Sequence, residues 1–94
     1  MSYFVVTLTY LDKLSPDVTA AQQARLAAMT ADGTLMWSGP FADGSGGMAI
    51  LQADSEEGAS AIYADTPLAT ARAITWELRA WEGRAGVVAA LLKS

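Results

Sequence analysis

Neither cysteine nor histidine occurs among the 94 residues of this chain. Without histidine there is no imidazole to serve as a general base or to build a Ser-His-Asp or Cys-His pair. Without cysteine there is no disulfide, no thiolate and no Cys/His zinc site. Proton transfer near neutral pH is left to carboxylates, tyrosines and lysines, each of which needs a shifted pKa or a special geometry. Basic residues are scarce, six against ten acidic ones, for a formal net charge of −4. No basic patch or basic helix face forms, which argues against nucleic acid and against an anionic membrane surface. No apolar run approaches the ~20 residues of a membrane helix. The opening Met1-Ser2-Tyr3-Phe4 lacks the charged n-region of a signal peptide, so a cytoplasmic location is expected. No acidic cluster has calcium or two-metal spacing, and neither a metal nor a cofactor is expected.

Hydrophobic residues, by contrast, make up 52% of the chain. A single domain over residues 1–94 is expected, with a core at 3–82 and a C-terminal extension at 83–94. A chain this small buries a limited fraction of its surface, and an apolar excess is easier to place in a subunit interface than on a monomer.

Tyr3 to Leu11 is β-branched and aromatic throughout and predicts a strand. Its Phe4, Val6, Leu8 and Tyr10 face suits a helix-covered core; Tyr3, Val5, Thr7 and Thr9 lie on the other side. Ser15-Pro16-Asp17 predicts a helix start, with Val18, Ala21, Leu26 and Met29 as its apolar positions and Gly33 as its left-handed end. Thr34 to Phe41 predicts a second strand, and the turn cluster Ala42-Asp43-Gly44-Ser45-Gly46-Gly47 leads to a third at Met48 to Ala53. Asp54 or Ser55 caps a second helix running to about Ala64, followed by a short helical turn over Pro67 to Ala71. Arg72 to Trp81 alternates as a fourth strand, with Ile74, Trp76, Leu78 and Ala80 opposite Thr75, Glu77, Arg79 and Trp81. The final segment, Val87 to Leu92, is apolar and helix-prone.

This order predicts an α+β, ferredoxin-like βαββαβ fold: a four-stranded antiparallel sheet with two helices on one face. The other face, with Tyr3, Val5, Trp37 and Thr75, then needs a cover. A second copy of the chain packed sheet to sheet would supply one, giving a homodimeric α+β barrel.

The chain resembles the YCII-related (YciI-like) family from about Tyr3 to Trp81. The resemblance rests on the opening strand, the helix ending at Gly33, Leu35, Gly39-Pro40-Phe41 and Gly47. It continues through Ser55-Glu56-Glu57-Gly58-Ala59, Asp65-Thr66-Pro67 and Trp76-Glu77-Leu78-Arg79-Ala80-Trp81. It implies a dimeric α+β barrel with a pocket in which a first-helix histidine works beside an acid. It also implies kinship with proteins of the muconolactone isomerase type or of chlorinated-ring degradation. Counted back from Gly33, the histidine's place falls at or near Gln22, and the acid's at Asp65, here separated from proline by Thr66. An amide that cannot take a proton thus stands where the base would be.

Each candidate residue has a functional and a plain reading. Gln22 either hydrogen-bonds a ligand or faces solvent, since only one of Gln22 and Gln23 can point inward. Asp65 is either a general base or a turn residue bonding its own backbone; Asp43 is expected in the turn role. Glu77 and Arg79 share a strand face, where Glu77 could act as acid or base and Arg79 could clamp an anion, or the two could form an interface ion pair. Trp37, with Trp76 and Trp81, offers either an aromatic wall or packing. Tyr10 and Tyr3 are the phenols expected near the sheet. Gly44-Ser45-Gly46-Gly47 lacks the Lys-Ser/Thr of a phosphate loop and opens a strand.

Three functions fit these residues. The first is a homodimeric protein binding a small molecule, aromatic or lactone-like and anionic, between sheet and helices. The second is an isomerase, lyase or dehalogenase using Asp65 or Glu77 in place of the histidine, with Arg79 and Gln22 on the substrate. The third is a structural dimerisation module, its cavity filled by tryptophan and methionine.

Overall fold

The computed structural model describes residues 2–93, and side chains through residue 91; Met1 and Ser94, the ends of the expected domain, lie outside the described residues. The elements are β1 (Ser2–Tyr10), α1 (Pro16–Ala31), β2 (Leu35–Pro40), β3 (Gly46–Ala53), α2 (Glu56–Ala64), α3 (Pro67–Thr70), β4 (Ile74–Trp81) and α4 (Val87–Lys93). The strands form one antiparallel sheet in the order β2-β3-β1-β4. This is the ferredoxin-like βαββαβ arrangement, followed by α4. No described helix is long and apolar enough to cross a membrane.

The strand period of two sorts residues between the sheet's faces. Phe4, Val6 and Leu8 of β1, Leu35 of β2, Ala49 and Leu51 of β3 and Ile74 of β4 are buried beneath the helices. Met29 of α1, Ala59 and Tyr63 of α2 and Leu68 of α3 close over them. The alternate positions, among them Thr7, Thr9, Thr75, Glu77 and Arg79, lie on the other face and are exposed.

Local chemistry fixes where the helices begin. Ser15 caps α1, its Oγ accepting from the Val18 amide at 3.1 Å, and Pro16 occupies the first turn, where its missing N–H is not needed. Ser55, rather than Asp54, caps α2, accepting from the Gly58 amide at 3.0 Å. Gly33 ends α1 with φ +86°, the left-handed conformation its position predicts.

Three boundaries differ from the sequence pattern. β3 starts at Gly46, not Met48, because Gly46 and Gly47 pair with Thr9 and Leu8 of β1. A Cβ on Gly46 would lie 1.9 Å from the Leu8 carbonyl oxygen, so glycine here permits close strand approach rather than a turn. β4 starts at Ile74, because Arg72 adopts φ +56° in the turn leaving α3. On α1, Ala21 is exposed and Gln22 is buried in its place. The inward stripe is Val18, Gln22, Leu26 and Met29, spaced by four, four and three; the five-residue step from Ala21 to Leu26 turns away from a helical face.

Candidate functional site

Between α1 and the sheet lies a cavity of about 370 Å³. Its walls are mainly apolar, from Leu8, Leu14, Leu26, Ala49 and Leu68, with the backbone of β2 and β3 at Gly39, Pro40 and Gly47. Its polar groups are Tyr10, Thr19, Gln22, Gln23, Ser38 and Tyr63. Tryptophan and methionine do not fill it. Trp37 and Trp81 are exposed, Met29 is part of the buried core, and Trp76 packs on Tyr63 with ring centroids 5.0 Å apart.

Gln22 is only 7% exposed, and the orientation of its amide follows from the start of α3. Pro67 has no N–H, so Leu68 is the first residue of α3 with an amide to satisfy. The N-cap Thr66 makes no side-chain cap bond, because its hydroxyl donates to the Tyr63 carbonyl at 2.7 Å. Gln22 of α1 takes that role, its Oε1 accepting from the Leu68 amide at 3.1 Å. An N–H can meet only the oxygen of the side-chain amide, which fixes Nε2 on the other side. Among the described residues Nε2 has no acceptor, yet no sealed-off side-chain nitrogen or oxygen lacks a partner. Its two N–H donors therefore open on the cavity.

The same reasoning applies to Tyr63, which α2 carries inward one turn after Ala59. It is 1% exposed, its hydroxyl has no hydrogen-bond partner among the described residues, and it is not sealed off. The hydroxyl thus faces the cavity that Tyr63 lines. Burial, with a smaller contribution from Tyr10, pushes its pKa up to about 12. Tyr63 remains a neutral donor throughout the ordinary pH range. Tyr10, half-buried at the end of β1, lines the same cavity.

The sequence candidates separate into three places. Gln22 and Tyr10 meet at the cavity. Asp65 is the C-cap of α2, with a side chain 75% exposed. Its Oδ2 is 3.2 Å from Nη1 of Arg25, which also donates to the Asp65 carbonyl at 3.0 Å. Glu77, Arg79 and Trp37 lie on the opposite face of the sheet, with Trp37 64% exposed. Strand alternation separates Glu77 and Arg79 from the helices, and they are not brought to Gln22 or Asp65. Asp43 holds the β2–β3 turn, its Oδ1 accepting from the amide and hydroxyl of Ser45 at 2.9 and 2.7 Å. Those bonds hold its carboxyl below the usual carboxylate range.

Tyr63 is the cavity residue that sequence reasoning missed when it looked for phenols on the strands. Its signal was the spacing of four from Ala59, which makes it the polar-tipped member of the inward face of α2. Among the described residues, no group of three or more acidic side chains is placed to hold a metal ion.

Fold and cavity together define an α+β protein of ferredoxin-like topology with a chamber between its first helix and its sheet. The chain belongs to the YCII-related family, whose domain model matches residues 3–82. It is similar in fold to 5-chloro-2-hydroxyhydroquinone dehydrochlorinase from Burkholderia phenoliruptrix AC1100, solved in complex with 2,5-dihydroxybenzoquinone. The TM-score is 0.68 at 18% identity, covering 85% of this chain and 93% of that one. No curated protein matches the chain.

Proposed function

We propose that this YCII-related protein binds a small aromatic or lactone-like molecule in the cavity between α1 and the sheet. The observation that carries this reading is the convergence of two nearly buried donors, Gln22 Nε2 and the Tyr63 hydroxyl, on an apolar chamber where neither has a protein acceptor. Both donors keep some accessible surface, so water in the chamber, or a bound molecule offering an oxygen in its place, can meet them. A carboxylate-driven isomerase, lyase or dehalogenase needs Asp65 or Glu77 at the bound molecule, and neither lines this chamber. The geometry therefore favours binding over catalysis by those two residues. A thermal-shift screen of aromatic amides, esters and lactones tests it. A ligand at 100 times its Kd adds about 2.7 kcal/mol. That gain should shrink in Gln22→Leu and Tyr63→Phe and persist in Asp65→Asn. A gain lost in Asp65→Asn and kept in the other two would favour the carboxylate reading.

The sheet's open face supports a homodimer within this proposal. Glu77 and Arg79 stand exposed on one strand with no ion pair inside the chain among the described residues. Trp37, Met48 and Trp81 stand exposed on the same face. On a two-fold axis across that face, beside the α4 residues Val88 and Ala89 that line a pocket with Trp37 and Trp81, opposite charges of two copies would face each other and the aromatic rings would be buried. Light scattering at micromolar concentration should give twice the chain mass, and Arg79→Glu should raise the dissociation constant at least about tenfold. A monomer would overturn the dimer and leave the cavity proposal standing.

A further inference from the structure

The cavity's recognition chemistry is polar but uncharged. None of its lining residues carries a charge, and the Arg25–Asp65 ion pair of the helix layer lies outside the lining. Its two most deeply buried polar groups, Gln22 and Tyr63, both present hydrogens, because Gln22 Oε1 is occupied by the Leu68 amide. Tyr10 adds a further hydroxyl at the same chamber. An ionised ligand entering such a chamber gives up its hydration and meets no counter-charge, a strongly unfavourable exchange. A neutral carbonyl gives up far less and gains directed donors at one end, with apolar walls along its body.

Resting on the binding reading above, we infer that this cavity selects an uncharged, carbonyl-bearing ligand and discriminates against the corresponding carboxylate or other anion. Arg79, the cation that would suit an anionic molecule, is on the far face of the sheet and cannot supply the missing charge to this chamber within one chain. Tyr63 stays protonated, since burial holds its pKa at about 12, so it brings no negative charge to a cation.

The test uses matched pairs that keep shape and change charge: benzamide against benzoate, cinnamamide against cinnamate, and coumarin against its ring-opened carboxylate. Each is titrated into the full-length ¹⁵N-labelled protein at about pH 7, where every one of these carboxylates is ionised. At least one amide or lactone should shift the resonances of Gln22 and its neighbours and bind about tenfold or more tightly than its carboxylate partner. Ser38→Lys, which places a cation at the exposed rim of the cavity, should narrow or reverse that preference. Carboxylates binding as tightly as their neutral partners would overturn the charge inference and leave the binding site intact. If no member of any pair shifts cavity resonances, the binding reading fails and the inference with it.

Discussion

The two faces of the sheet are built from the same four strands, one residue apart, and differ in nearly everything else. The helix-covered face buries Phe4, Val6, Leu8, Leu51 and Tyr63, and encloses an uncharged chamber. The open face displays Thr7, Thr9, Glu77, Arg79, Trp37 and Trp81. The polar groups that line the cavity are on the first side, and the strand charges Glu77 and Arg79 are on the second. Residues that look like one site in the sequence, Gln22 and Tyr10 with Glu77 and Arg79, are thus divided between the chamber and the open face.

The sharpest way to break this contrast is truncation on either side. Tyr63→Ala should cost about 3–5 kcal/mol in urea unfolding, because it removes a buried ring that packs on Trp76 and helps to wall the cavity. Trp37→Ala should change monomer stability by about 0.5 kcal/mol or less, its effect appearing in the concentration dependence of unfolding. Equal losses from the two would erase the distinction between the faces.

Tyr63 also predicts a pH response. Its folded pKa is raised from 10.0 to about 12, so the folded state holds the proton more tightly than the unfolded chain does. The associated stability is complete below about pH 10 and is lost as pH rises to about 12, by about 2–3 kcal/mol. Tyr63→Phe should flatten that part of the stability profile, measured by unfolding across the alkaline range; an unaltered slope would mean that the phenol is not buried as described.

A smaller effect separates Gln22 from Asp65. Gln22→Leu leaves the Leu68 amide unpaired beneath α1 and should cost about 1–2 kcal/mol. Asp65→Asn breaks an exposed ion pair with Arg25 and should cost at most about 1 kcal/mol. Chemical denaturation of both variants checks the order, and the reverse order would mean that Asp65 is more deeply engaged than its exposure indicates.

The element order was legible because local signals agreed with one another. Ser15-Pro16 opened α1, Gly33 closed it, and the alternation from Ile74 to Trp81 marked β4 and its two faces. The Gly46-Gly47 start of β3 was hidden, because its cause is the nearness of Leu8, 38 positions earlier, and no local pattern reports it. Gln22 was legible as a position, and its role was not. Only the tertiary approach of α3, with a proline that leaves Leu68 as the first donor, fixes the direction of its amide. Tyr63 was passed over because a tyrosine in a helix resembles any other core aromatic until the chamber behind it is seen. At Gln22 the chain brings an amide to the cavity, which offers hydrogen bonds and no base.

The most direct measurement is the ¹⁵N-edited spectrum of the Gln22 side-chain amide during titration with the tightest neutral ligand found in the screen. Both Nε2 protons should shift with the occupancy of the cavity, while backbone amides from Thr75 to Trp81 change little. Shifts concentrated on Trp37, Glu77 and Arg79, with Gln22 unmoved, would put the ligand on the open face and contradict binding in the cavity.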